Sequence, residues 1–149
     1  MLNVRNFSEK DRDIYIDMSK DFYSGDSAIA PVSDENFSKT FSAVLSGDKG
    51  VRGCIIEKDG ETAGYALLPY FWSCEAGGTT VVLDELYILP QFRGSGLGSE
   101  FMKWLLKEYE NTPRIRLEVC HANLRVKHLY ERFGFEELPY IQMTKDKTL

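Results

Sequence analysis

The chain predicts an α/β protein of the α+β kind, a mixed and mostly antiparallel sheet with helices on both faces, built as one domain over residues 1–149. Three observations carry this. Hydrophobic periodicity switches between period 2 and period 3.6 in the order strand, two helices, three hairpin-linked strands, helix, strand, helix, strand. The helix after the third hairpin-linked strand is a crossover, which makes the next strand parallel to the one before it. At 149 residues, with 43% hydrophobic and 28% charged side chains, the chain can bury a full core without a staple.

Leu2 to Phe7 alternates as a short strand; Ser8 then caps a helix whose Ile14, Met18 and Phe22 recur at four-residue spacing to about Tyr23. Gly25 and Pro31 bracket a loop, and Ser33 with Asp34 and Glu35 opens a second helix that buries Phe37, Phe41 and Leu45. Val51 to Glu57 and Thr62 to Phe71 form a hairpin around Lys58-Asp59-Gly60, and Gly77-Gly78 turns the chain again into Val81 to Leu89. Leu97, Phe101 and Leu105, widened by Met102, Leu106 and Tyr109, mark the next helix, which Pro113 stops. Ile115 to Cys120 is the parallel strand. Asn123 caps a last helix bearing Val126, Leu129, Tyr130 and Phe133, Gly134 ends it, and Tyr140 to Thr144 returns as a final strand.

The stretch Gln91-Phe92-Arg93-Gly94-Ser95-Gly96-Leu97-Gly98, between a strand and a helix, carries the chemistry. Alternate glycines let successive backbone N–H groups converge on one point, and a helix starting there adds unpaired amides and the positive end of its dipole. Arg93 adds a planar fork suited to phosphate oxygens. The stretch therefore reads as a pyrophosphate cradle. A phosphate-loop NTPase needs Lys-Ser/Thr after the last glycine, where Ser99 and Glu100 stand. A dinucleotide fold needs a third glycine where Ser99 stands, although Glu118 lies about where its ribose-binding acid belongs.

A formal net charge of -5 argues against nonspecific nucleic-acid binding and agrees with a cationic substrate. Met1 to Asp11 lacks the apolar core of a signal peptide, and no run approaches membrane-spanning length. Cys54, Cys74 and Cys120 are odd in number and widely spaced, which fits a reducing cytoplasm better than disulfides or a metal site. Cys120 and His121 point to opposite faces of a strand and make no nucleophile-base pair.

Leu86-Tyr87-Ile88-Leu89-Pro90-Gln91-Phe92-Arg93-Gly94-Ser95-Gly96-Leu97-Gly98 resembles the strand-to-helix signature of the GNAT superfamily of acetyl-CoA-dependent N-acetyltransferases, with Gln91, Gly94 and Gly96 on its Q/R-x-x-G-x-G/A core. Asn123 and Leu129-Tyr130-Glu131-Arg132-Phe133-Gly134-Phe135 resemble its second signature, in the right order and separation. Gly64 to Glu85, with Ala76-Gly77-Gly78, is similar to small polyamine-type and bacterial branches. The resemblance implies that the two parallel strands splay and that the cofactor's pantetheine arm lies in the gap against Leu86, Tyr87 and Ile88. It places the pyrophosphate on Arg93, Gly94, Ser95, Gly96, Leu97, Gly98 and Ser99, and the amide arm on Asn123. It implies a homodimer, no metal, and Tyr130 aimed at the sulfur.

Acyl transfer from a thioester to an amine needs a neutral nucleophile, a stabilised oxyanion and a protonated leaving thiol. An alkylamine of pKa near 10.4 is neutral about once in 2,500 at pH 7, a handicap of about 4.6 kcal/mol. A positioned base supplies about 3 to 5 kcal/mol, so proton removal matters. Asp84 and Glu85, carboxylates in an otherwise apolar strand, are the candidates, directly or through a water; burial should raise their pKa. Alternation sets them on opposite faces unless a bulge intervenes. The Ile88 N–H is the oxyanion donor and Tyr130 the acid. The acceptor is a small-molecule amine or polyamine shaped by the first two helices and the hairpin carrying Phe71 and Trp72. The acidic scatter of Asp17, Asp21, Asp26, Asp34 and Glu35 can attract a cation. The alternative is a module that binds acyl-CoA as a sensor without turning it over.

Overall fold

The computed structural model describes residues 1–25 and 30–147; Asp26, from the acidic scatter, lies outside them. The chain divides into two compact units, Met1–Glu118 and Val119–Leu149. The first holds β1 (Leu2–Asn6), α1 (Arg12–Tyr23), α2 (Asp34–Ser46), β2 (Val51–Lys58), β3 (Glu61–Ser73), β4 (Gly78–Leu83), β5 (Glu85–Ile88), α3 (Leu97–Glu108) and β6 (Arg114–Leu117). The strands form one sheet in the order β1-β2-β3-β4-β6, with β5 also on β3. Every pairing is antiparallel except β4 with β6.

Both faces of this sheet are covered. Ile55, Tyr65, Leu67 and Tyr87 join Phe7, Tyr15, Met18 and Phe41 in the core that α1 and α2 close. The alternate residues face α3: Cys54, Ile56, Ala66 and Leu68 are buried, and Arg52 lies over the Trp104 ring and bonds Glu108 and Tyr109. The α1 entry is tighter than a plain Ser8 cap. Asp11, only 3% exposed, accepts from the Ser8 amide and takes both arms of Arg5 at 2.8 and 2.9 Å, closing a short 3-10 turn before α1.

The predicted strand Val81 to Leu89 is two strands. Tyr70 faces Val81, but three residues back along β3 Leu67 faces Glu85, four residues on, so one extra residue is inserted. Asp84 is that residue, its amide donating to the Leu67 carbonyl at 3.1 Å, and the kink it makes is a β-bulge. The bulge fixes where pairing ends. Parallel pairing with β6 runs from Thr80 and Arg114 to Leu83 and Leu117 and stops there, while β5 pairs with β3 alone. The predicted strand to Cys120 accordingly ends at Leu117, because beyond the bulge no ladder partner runs alongside it.

In the second unit, Asn123 caps α4 (Leu124–Arg132) by accepting from the Val126 amide, and Gly134 follows the helix at φ 92°. Among the described residues the expected final strand, Tyr140 to Thr144, is not formed, and Ile141 and Met143 are 91% and 93% exposed. Apolar alternation alone makes no strand where backbone groups have no ladder to join.

Candidate active site

The bulge leaves an open edge. Leu89 donates to the Ala63 carbonyl at 2.8 Å, so main-chain groups of Leu89, Tyr87 and Glu85 face β3, and those of Leu86 and Ile88 face the other way. Among the described residues Leu86 and Ile88 have no strand pairing on that side, the Ile88 carbonyl accepting from Arg93 instead, whereas the Tyr87 backbone is used up in the sheet. Its ring is 5% exposed, and its hydroxyl donates to Asp21 at the end of α1. That bond, with burial, pushes the phenol up to about 12.

The glycine loop follows directly. Gly94 and Gly96 hold φ of 77° and 82°, which L-residues resist, and a Cβ at either would meet only open space. Conformation, not crowding, requires glycine there. Gly96 caps α3 without a side-chain acceptor, so the first-turn amides of Leu97, Gly98 and Ser99 have no partner within the helix. Gly98 lies inside α3 at an ordinary φ, and Leu97 is 2% exposed, so each offers only its amide. Ser95 donates its hydroxyl to the Phe92 carbonyl. These groups fit a diphosphate. Arg93 has closer ties than expected: its Nε donates to the Ile88 carbonyl at 2.7 Å, its guanidinium lies over the Tyr87 ring, and it pairs with Asp21 at 3.9 Å.

The two candidate carboxylates have different surroundings. Glu85, 6% exposed, accepts from the Tyr65 hydroxyl on Oε1 at 2.6 Å and from the Tyr23 hydroxyl on Oε2 at 2.7 Å. Burial raises its pKa, and the two phenols oppose the rise. Asp84 is exposed at the bulge, and among the described residues no donor bonds its carboxylate; partial desolvation, then the charge of Glu118, raises its pKa. Strict alternation fails here. The Tyr23 phenol, raised first by burial, feels the charge of Glu85 and of Asp84 together. Glu118 therefore acts on Asp84 rather than standing alone as a ribose acid.

Glu85 opens on a cavity of about 370 Å³ lined by Tyr15, Tyr23, Val32, Asn36, Phe37, Lys39 and Thr40. Most of these residues belong to the first two helices. Phe71 and Trp72 do not line it and are 45% and 75% exposed. Sequence reasoning did not single out Tyr15, Tyr23 or Tyr65 for the site. The signal was there: a buried phenol needs a partner, and three of them occupy apolar positions of a chain that buries a carboxylate.

In the second unit Asn123 serves as the α4 cap, and Tyr130 lies half-buried with its ring 6.1 Å from that of Phe135. Burial raises the Tyr130 pKa. Both residues lie on or at the start of one helix.

Residues 12–135 match the model of the acetyltransferase (GNAT) family. An uncharacterized N-acetyltransferase of Archaeoglobus fulgidus is 29% identical over 134 residues, 87% of this chain and 89% of that protein. A spermine/spermidine N(1)-acetyltransferase of Bacillus subtilis is 33% identical over 75 residues, 48% of this chain and 49% of that protein, so the alignment spans about half of each. The crystal structure of a possible acetyltransferase from Clostridium difficile 630 superposes with a TM-score of 0.83 over 100% of this chain and 99% of that one, at 15% identity, which shows the fold. An open strand edge leading into a glycine cradle, together with a family match over most of the length, makes this chain a member of the acetyltransferase (GNAT) family and an acetyl-CoA-dependent N-acyltransferase.

Proposed function

We propose that the protein moves an acetyl group from acetyl-CoA to a primary amine on a small molecule, by direct attack with both substrates bound. What supports this most is the release of β5 from β6 at the Asp84 bulge, because it exposes Leu86 and Ile88 beside the uncapped start of α3. Acetyl-CoA supplies the acyl group already activated as a thioester. The main chains of Leu86 and Ile88 bind its arm as a neighbouring strand would be bound, and Arg93 to Ser99 hold the diphosphate, with Asn123 on the amide arm. The Ile88 N–H faces negative charge developing on the carbonyl oxygen; such a donor is worth about 10²-fold or more.

Asp84 is the base in this reading. Partial desolvation and then Glu118 disfavour its anion, and among the described residues no donor stabilises it, so the group holds a proton more readily than an ordinary carboxylate and takes one directly or through water. Glu85, whose oxygens already take two phenol bonds, is the poorer base. Tyr130 supplies the proton to the departing thiolate. Incubation with acetyl-CoA and a panel of small amines, read by released thiol, should give amine-dependent turnover. Tight acetyl-CoA binding with no thiol release across the panel would favour the sensor reading instead.

A further inference from the structure

Glu85 lies at the wall of a cavity yet makes a poor base, which leaves its charge to be explained. Both oxygens are fixed by phenols, Tyr65 from the sheet and Tyr23 from the last turn of α1. Phenols that donate to a carboxylate favour its ionised form, and an anion buried against an apolar wall is costly unless something positive comes to it. Among the described residues no cation bonds its carboxylate: Lys39, which also lines the cavity, pairs with Glu35 at 3.0 Å. The remaining lining is the aromatic side chains Tyr15, Tyr23 and Phe37 with Val32, Asn36 and Thr40. Aromatic rings beside a carboxylate are surroundings that favour an alkylammonium.

In the transferase reading Asp84 takes the proton of the nitrogen that reacts, and that nitrogen ends as a neutral amide. A carboxylate fixed on both oxygens and taking no part in that proton transfer matches a charge that the acceptor keeps throughout. The cavity, about 370 Å³, is near the small end of ligand sites, which run from about 300 to 1,000 Å³. That size accommodates a short aliphatic chain.

We infer that the acceptor is a compact aliphatic amine carrying a second, non-reacting cationic group, and that Glu85, held by Tyr23 and Tyr65, is the residue that selects for that second charge. This rests on the transferase reading, in which Asp84 serves the reacting nitrogen. Glu85 is thereby a specificity residue, and the two tyrosines are positioning residues.

The test compares 1,4-diaminobutane with 4-aminobutan-1-ol and butylamine, which share its length but lack the second charge. Wild type should favour the diamine in kcat/KM by tenfold or more. Glu85→Gln, which keeps the shape, should erase that preference through KM, with the affinity for CoA little changed. Tyr23→Phe should weaken it partway. Equal use of all three amines by wild type, or an intact preference in Glu85→Gln, overturns the inference. If no amine is acetylated, the transferase reading fails on its own terms. Calorimetric titration of the diamine then decides the cavity: binding by wild type but not by Glu85→Gln supports the charge site, and absence of binding by wild type rejects it.

Discussion

Asp84 and Glu85 are neighbours in sequence with different surroundings, and the task proposed for each is measurable. A base whose pKa is raised by desolvation and by Glu118 puts the acid limb of kcat/KM above the ordinary carboxylate range. Asp84→Asn should remove that limb and lower kcat by about 10²- to 10⁴-fold, and Tyr130→Phe should lower kcat while the affinity for CoA holds. Steady-state profiles with parallel calorimetry check both; an unchanged kcat in Tyr130→Phe would make the phenol a packing residue. Glu85 gives a stability test whose sign follows from linkage. Its native carboxyl binds a proton more tightly than the unfolded one, so the native state holds the extra proton just above the unfolded pKa of about 4.3, and stability falls as pH rises there. Glu85→Gln should therefore gain on wild type between pH 4 and neutrality in urea melts. A constant difference across that window would mean that Glu85 is not desolvated. Asp11 has the opposite sign. Burial alone would raise its pKa, but the Arg5 and Ser8 bonds more than offset this and lower it, so the pair stabilises above about pH 4 and is lost toward acid.

Helices, hairpins and caps were legible because each is written within a few adjacent residues. Asn123, Gly134 and the Asp59-Gly60 turn fall where sequence placed them. The bulge was not legible. Burial alternates without interruption through Val81, Leu83, Glu85 and Tyr87, and it does so although the register moves by one, because helices cover both faces of the sheet. A pattern of buried and open positions reports depth, not which face is buried. The β3–β5 contact that positions the open edge depends on Gly64, where an added Cβ would stand 2.0 Å from the Tyr87 carbonyl oxygen. Gly64→Ala should therefore destabilise by about 1 to 3 kcal/mol, read from the urea midpoint, as expected of overpacking. An unchanged midpoint would show that β3 and β5 part at little cost.

At the scale of the molecule, a ligand that binds only the native state raises its melting temperature by mass action, about 2.7 kcal/mol at a hundredfold excess over Kd. Acetyl-CoA should do this here. Gly96→Val should shrink the shift, since φ of 82° costs a branched residue about 1 to 2 kcal/mol or moves the amides that face the phosphates. If neither acetyl-CoA nor CoA moves the transition of wild type at millimolar concentration, the cradle does not bind a diphosphate.

Sequence by itself determined the fold class, the order of the elements as far as the last helix and the glycine turn before α3, because periodicity, caps and turn residues act over short stretches of chain. Only the tertiary structure decided that one strand is two, that its second half shows an open edge, and that Glu85 is held by phenols 20 and 62 residues away. Those outcomes depend on register across the sheet and on which side chains meet inside it, and no local pattern encodes either.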